Sequence, residues 1–288
     1  MKKNKFLFCI GLLLTVATIV NAQSVTWISS TEGNVWQKSK VKLQSKSEQN
    51  PVLQVDGTEN GVAFKNWGTT FNELCWDALG LLTRTEQDEI LYNIFSPQGD
   101  LRITRGRISM GANDYARSWY SCDEVEGDFE LRYFNINRDK QTIIPFIRAA
   151  QKYNPNLTFW ISPWCPPSWM KINGDYPVLS SPFNSLSEKQ NYLLYGATGG
   201  QVDENEMKLT GARDGVFPRQ LATTDFMIQD PRYLQTYADY FCRFIDAYKE
   251  QGIPIDMVMY QNEAYSYTPY PGCAWTATGT IRFNKEYL

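Results

Sequence analysis

Any acid–base chemistry in this chain must be carried by side chains other than histidine, because its 288 residues include none. That absence excludes Ser–His–Asp and Cys–His nucleophilic sites, HExxH zinc sites and Cys–His zinc fingers. Asp, Glu, Lys, Tyr and Cys remain as proton donors and acceptors. The six cysteines form no CxxC pair, so the sequence supports neither a zinc site nor a redox motif. We therefore expect no metal and no cofactor.

The strongest carboxylate motif is Tyr260-Gln261-Asn262-Glu263, which directly follows an apolar run with the pattern of a buried strand. A carboxylic acid there, beside an amide that can bind a sugar hydroxyl, suits cleavage of a glycosidic bond. One carboxyl group protonates the leaving oxygen while a second attacks C1 or activates water. Asn-Glu also occurs at Asn72-Glu73 and Asn205-Glu206, and a solvated loop position is the alternative interpretation of Glu263.

A proline-rich loop, Ser162 to Lys171, presents two indoles after another apolar run. Its three prolines stiffen the backbone and so lower the entropic cost of holding aromatic rings in place. We expect Trp164 to face a ligand and Trp169 to pack in the core, whereas the alternative is that both tryptophans fill space beneath the loop.

Two charged residues accompany a further predicted strand. Arg107 is placed to orient a carboxylate, and Asp114, in the loop that follows, is placed to accept hydrogen bonds from sugar hydroxyls. The alternative interpretation is a salt bridge at the end of the strand.

The elements that position these residues alternate between strand and helix. Strands are predicted at about 62–67, 101–108, 157–161 and 255–260. Helices are predicted to begin near Thr85, Asp139, Pro231 and Thr280. Repeated βα units predict a parallel sheet, which closes either as a doubly wound sheet or as a (β/α)8 barrel. No nucleotide-binding glycine loop follows a strand, whereas long polar and aromatic loops do, as at the active-site face of a barrel. We therefore predict an α/β barrel.

The order of these motifs resembles glycoside hydrolase family 30, the glucosylceramidase-like family of retaining β-glycosidases. The resemblance covers about Val55 to Leu288, and its most specific element is the Ser162 to Lys171 loop. It implies cleavage of β-glycosidic bonds, of the glucosylceramidase, β-glucosidase or β-1,6-glucanase type, by a retaining two-carboxylate mechanism. The roles it implies are a general acid/base at Glu263, a 2-hydroxyl ligand at Asn262, a carboxylate brace at Arg107, and terminal-sugar ligands at Asp114 and Trp164.

The chain departs from the family pattern in two ways. Ala264 stands where a proline usually follows the Asn-Glu pair. The family's nucleophile, a glutamate on the seventh strand, is absent from this chain. We therefore expect residues 57–288 to be the N-terminal half of a (β/α)8 TIM barrel, truncated after its fourth strand and inactive by itself. Residues 23–56 are predicted as short β-strands that would belong to a side β-sandwich.

The first 22 residues have the pattern of a secretory signal peptide: Lys2, Lys3 and Lys5, an apolar run, and a small residue at Ala22. The run is shorter than the roughly 20 residues of a membrane span. We expect cleavage after Ala22, export to the periplasm, cell surface or medium, and no stable membrane span in the mature protein.

The composition limits the classes of partner that the protein is expected to bind. A formal net charge of −3 argues against nucleic-acid binding, which needs a basic surface. The expected partner is a carbohydrate or glycolipid substrate. The competing interpretation is a non-catalytic glycan-binding protein that uses the aromatic platform without hydrolysis.

Overall fold

The structure, a computed structural model, describes residues 24–42, 61, 64–187, 225–264 and 266–288. The chain divides into two compact units, Met1–Ala63 and Phe64–Leu288. The expected signal peptide and residues 43–56 of the predicted β segment lie outside the described residues.

The first unit contains an antiparallel hairpin of β1 (Ser24–Thr31) and β2 (Asn34–Lys42). Gly33 occupies the turn with φ of +78°, a conformation that glycine adopts without steric cost. The short strands expected in this part of the sequence are present here.

The second unit is built on a parallel sheet of β3 (Gly68–Phe71), β4 (Arg105–Ser109), β5 (Thr158–Ser162) and β6 (Ile255–Val258). The strands pair in chain order, β3-β4-β5-β6. A doubly wound sheet reverses its strand order at a switch point, and these four strands show no reversal. The order is that of consecutive barrel strands, which confirms the predicted fold class.

Within the described residues, five α-helices connect or follow these strands. They are α1 (Glu73–Gly80), α2 (Arg84–Phe95), α3 (Ile143–Gln151), α4 (Pro231–Glu250) and α5 (Ala277–Glu286). The prediction for α4 is confirmed: Asp230 caps it by accepting a hydrogen bond from the Arg232 amide, and Pro231 occupies the first turn. Helix α2 begins earlier than predicted, because Thr83 and Glu86 form the capping box.

Two strand predictions were wrong in their bounds: the first lies wholly before β3, and the second begins too early. Residues 64–67, predicted as strand, have no regular structure, and β3 begins at Gly68, where pairing with Arg105 starts. The strand predicted at 101–108 begins only at Arg105, because Arg102 has φ of +51°, which is incompatible with extended backbone. Helix α1 was not predicted; Asn72 caps it through its side-chain oxygen.

The interior of the sheet is filled by aromatic side chains. Phe71 and Phe159 are fully buried, with ring centroids 5.9 Å apart. A Cβ atom at Gly106 would lie 2.6 Å from the Phe71 ring and 2.8 Å from Phe159. Glycine at this position therefore lets both rings meet across β4.

A fully buried carboxyl group links the loop after β4 to α4. Asp139 is 0 % exposed and accepts hydrogen bonds from the Tyr120 and Tyr248 hydroxyls, both at 2.7 Å. Burial raises the pKa of Asp139 to about 6, although both tyrosine hydrogen bonds oppose the shift. The folded state therefore binds this proton more tightly than the unfolded chain does.

Because the pKa is raised, the stability that Asp139 contributes is present below about pH 4 and is lost as the pH rises through about 6. Asp139→Asn should remove this dependence. As the pH rises from 4 to 7, the unfolding free energy of wild type should fall by roughly 3 kcal/mol relative to that of the variant. Denaturant titrations across that range measure it, and a difference independent of pH would contradict the assignment.

Candidate active site

The carboxyl ends of β4, β5 and β6 are tied together by backbone hydrogen bonds. The Met110 amide donates to the Ser162 carbonyl at 3.2 Å, and the Asn262 amide donates to the Pro163 carbonyl at 2.7 Å. The side chains that leave these strand ends therefore converge on one edge of the sheet, the position of active sites in α/β barrels.

Arg107 lies at the centre of this edge. Its Nε and Nη2 atoms donate to Ser162 Oγ at 3.1 and 2.6 Å, and Nη2 also donates to Asn262 Oδ1 at 2.6 Å. The guanidinium carbon lies 4.0 Å from the centroid of the Trp164 ring, a cation–π distance. One side chain thus connects all three strand ends.

Two carboxylates share the electrostatic field of Arg107. Burial lowers the pKa of Arg107, while the negative charges of Asp114 and Glu263 counteract that shift. Burial also raises the pKa of Asp114; Trp164 and Arg107 oppose that shift, and Glu263 adds to it. The structure therefore brings Arg107, Asp114 and Glu263 within electrostatic range of one another.

The structure shows no strand-end salt bridge between Arg107 and Asp114, the alternative that the sequence left open: the ion pairs of the described residues do not include this one. The guanidinium hydrogen bonds go to neutral oxygens of Ser162 and Asn262. The positive charge of Arg107 is therefore not neutralised by these hydrogen bonds and remains available to a bound ligand.

Asn262 has an orientation fixed by Arg107. An amide offers one acceptor oxygen and two N–H donors, and the oxygen is occupied by the guanidinium. The Nδ2 group is consequently the end that can donate a hydrogen bond to a ligand oxygen.

Glu263 sits at a strained backbone position. Its φ is +48°, a left-handed conformation that costs a non-glycine residue free energy and is often found at functional sites. The side chain is exposed, and it makes no hydrogen bond within the part of the chain that the structure describes. The turn is closed by the Ser266 amide, which donates to the Glu263 carbonyl at 2.8 Å.

Glu73, in another Asn-Glu pair, provides the contrast. It is 1 % exposed, and both of its oxygens are bonded to Arg138, at 2.8 and 2.6 Å. It also accepts from the Arg117 amide at 2.8 Å. Glu73 is thus engaged in holding the fold, and the pair at 205–206 lies outside the described residues.

Trp169 packs in the core, as the sequence predicted, whereas Trp164 does not form the expected open platform. Trp164 and Trp169 are only 6 % and 9 % exposed. The Trp169 indole donates to the Asp123 carbonyl at 3.1 Å and meets Phe129 edge-on. The Trp164 Nε1 atom is buried and interacts with the Asp114 side chain, which opposes the rise in the pKa of that carboxyl group, and the ring face is covered by Arg107. Trp164 therefore forms a wall of the site.

Sequence reasoning missed Gln261 as a functional position, although it is part of the motif. This amide is 3 % exposed; its Nε2 donates to the Trp164 carbonyl at 2.6 Å, and its Oε1 accepts from the Trp275 indole at 3.2 Å. It cross-links the loops that carry Trp164 and Glu263. The signal in the sequence was its place between a buried strand and the Asn-Glu pair.

Three further features of the described residues concern metal binding, cysteine pairing and membrane spans. No group of three or more His, Cys, Asp or Glu side chains there could hold a metal ion. Cys75, Cys122, Cys165, Cys242 and Cys273 are all free thiols. Within the same residues, no helix combines the length and apolar character of a membrane span.

Fold and site together define a parallel α/β barrel protein with a cluster of carboxylates, arginine and amide at the carboxyl ends of its strands. Residues 64–181 match the family model described as the glycosyl hydrolase family 30 TIM-barrel domain, which confirms the resemblance that the motifs indicated. This match covers less than half of the chain.

Curated relatives with related names are consistent with this family-model match. The chain is 27 % identical to "Putative glucosylceramidase 4" of Caenorhabditis elegans over 86 % of this chain and 40 % of the relative. It is 26 % identical to "Endo-1,6-beta-D-glucanase neg1" of Aspergillus fumigatus over 78 % of this chain and 40 % of the relative. The chain thus spans about two fifths of the length of these relatives.

Solved structures show the same fold. The endo-β1,6-glucanase BT3312 superposes with a TM-score of 0.60 at 20 % identity, over 92 % of this chain and 48 % of that one. SrfJ from Salmonella typhimurium gives a TM-score of 0.60 at 18 % identity, over 91 % and 48 %.

Proposed function

We propose that the protein is a glycosidase that cleaves β-glucosidic bonds, with Glu263 as the group that protonates the leaving oxygen. The observation that carries the proposal is the convergence of Glu263 and Asp114 on Arg107 at the carboxyl ends of adjacent strands. A glycosidase needs a proton donor held beside hydroxyl-binding groups, and this edge of the sheet supplies both.

Each residue has a role in this proposal. The free Nδ2 of Asn262 donates to the sugar 2-hydroxyl, while Arg107 holds that amide and balances the charge of the carboxylates. Asp114 accepts hydrogen bonds from hydroxyls of the terminal sugar. The Trp164 indole N–H favours the ionised form of Asp114, which keeps that carboxylate able to accept them.

The proposed mechanism is retaining. Retention requires a nucleophilic carboxylate about 5–5.5 Å from the acid. We propose that this nucleophile follows a later barrel strand that residues 1–288 do not include, in keeping with the share of the relatives that the chain spans. The proposed substrates, β-glucosides including β-1,6-glucan and glucosylated lipids, follow from the activities for which the relatives are named.

The proposal also includes export. Three lysines, an apolar run that ends at Val20 and the small residue Ala22 support cleavage after Ala22. Export would bring the site to extracellular or periplasmic glycans.

One preparation tests these points. The full-length protein purified from the exported fraction is given 4-nitrophenyl β-glucoside, and the anomeric form of the first glucose released is followed by NMR. We expect hydrolysis with β-glucose as the initial product and an intact mass lacking residues 1–22. Release of α-glucose would refute retention, whereas sugar binding without hydrolysis would favour the glycan-binding alternative.

A further inference from the structure

The segment that follows the candidate acid is firmly anchored. Thr268 is 4 % exposed, and its carbonyl accepts from the Val178 and Leu179 amides at 2.9 and 3.0 Å. The Gly272 amide donates to the Tyr176 carbonyl at 3.0 Å. Two hydrogen-bonded attachments to residues 176–179 therefore fix the backbone on both sides of residue 270.

Tyr270 is the exposed side chain within this anchored segment. Residues 271–275 are buried, whereas Tyr270 is 38 % exposed. Pro269 and Pro271 flank it, which restricts the backbone, and the Thr268 hydroxyl donates to its carbonyl at 3.0 Å. A ring held this way loses little conformational entropy when it binds a ligand.

The phenol of Tyr270 lies in the field of the candidate catalytic groups. Burial raises its pKa, and the charges of Asp114 and Glu263 add to the rise. Trp164, the aromatic residue expected to stack on a ligand, has its ring covered by Arg107. Tyr270 consequently offers an exposed aromatic side chain within electrostatic range of both carboxylates.

We propose that Tyr270 binds the leaving-group side of the substrate, by stacking its ring on the sugar or aromatic ring that departs. This inference rests on the proposed function. A general acid must contact the glycosidic oxygen, so the leaving group lies on the side of Glu263. Tyr270 is seven residues further along the same loop and is rigidly held, which suits a specificity-determining residue.

The test compares β-glucosides that share the glucose ring and differ in the leaving group. Gentiobiose and 4-nitrophenyl β-glucoside release a ring, whereas methyl β-glucoside releases a group too small to stack. In the full-length protein, Tyr270→Ala should lower kcat/KM on the first two by about 3- to 10-fold. Methyl β-glucoside should change by less than about 2-fold.

Three further variants sharpen the result. Tyr270→Phe keeps the ring and should retain wild-type kcat/KM on gentiobiose. Tyr270→Leu fills the space without a flat face and should reproduce the alanine loss, which covers the case of an alanine variant that fails to fold. Tyr133→Ala removes another exposed tyrosine, 62 % accessible, and should change none of the three substrates.

An equal loss on all three substrates, or no loss on any, would overturn the role of Tyr270 while leaving the proposed function standing. A folded wild-type protein that cleaves none of the three β-glucosides would refute the proposed β-glucosidase function, and the role of Tyr270 in it would fall as well.

Discussion

Glu263→Gln in the full-length protein is expected to lower kcat on substrates with poor leaving groups, such as gentiobiose, by roughly 10²–10⁴. Glutamine keeps the size and the hydrogen-bonding oxygen of the side chain but cannot donate the catalytic proton. Because the Glu263 carboxylate makes no hydrogen bond among the described residues, the substitution breaks no internal contact. Stability should stay close to wild type.

A comparison of substrates with good and poor leaving groups distinguishes proton donation by Glu263 from other roles of this residue. A 2,4-dinitrophenyl β-glucoside scarcely needs protonation, so the step that forms the glycosyl-enzyme should be nearly as fast in the variant as in wild type. Azide, which attacks without base assistance, should restore turnover and give a β-glucosyl azide if the mechanism is retaining. Glu126→Gln, at an exposed loop carboxylate, is the matched control. Equal losses on activated and poor leaving groups would show that Glu263 is not the acid.

Local signals in the sequence predicted the helices better than the strands. Asp230 and Pro231 determine where α4 begins through contacts within one turn, so they can be recognised without the fold. A strand begins where a partner is available, and the start of β4 depends on pairing with β3 and on the left-handed backbone of Arg102. Helix α1 escaped prediction because eight residues give too short a periodic pattern.

The residue types of the candidate site could be predicted from the sequence, whereas the contacts between their side chains could not. Arg107 and Asn262 were recognised separately, but no local pattern relates residues 155 positions apart whose side chains lie 2.6 Å from each other. A second contact of Arg107 explains why Trp164 forms a wall of the site and not a platform: the guanidinium covers the face of the Trp164 ring. Burial of an aromatic loop residue is decided by such long-range neighbours.

Arg107→Met is expected to lower kcat/KM by roughly 10²–10³, the cost of removing one preorganised donor from an active site. The substitution leaves Asn262 Oδ1 without its donor, so the amide can rotate away from the orientation that offers Nδ2. It also removes the charge that lowers the pKa of Asp114. That pKa should therefore rise further, and the acidic limb of the pH–rate profile should move to higher pH.

The neighbouring residue on the same strand supplies the control. Arg105 forms an ion pair with the exposed Asp256 at 2.5 Å, outside the cluster around Glu263. Arg105→Met should affect stability modestly and leave both kcat/KM and the pH profile unchanged. Arg107→Lys should recover the charge but not the forked hydrogen bonds to Ser162 and Asn262. It should therefore restore the position of the acidic limb while most of the loss in kcat/KM persists. If Arg105→Met and Arg107→Met gave the same losses and the same pH profile, Arg107 would be a structural residue of the strand and not part of the catalytic site.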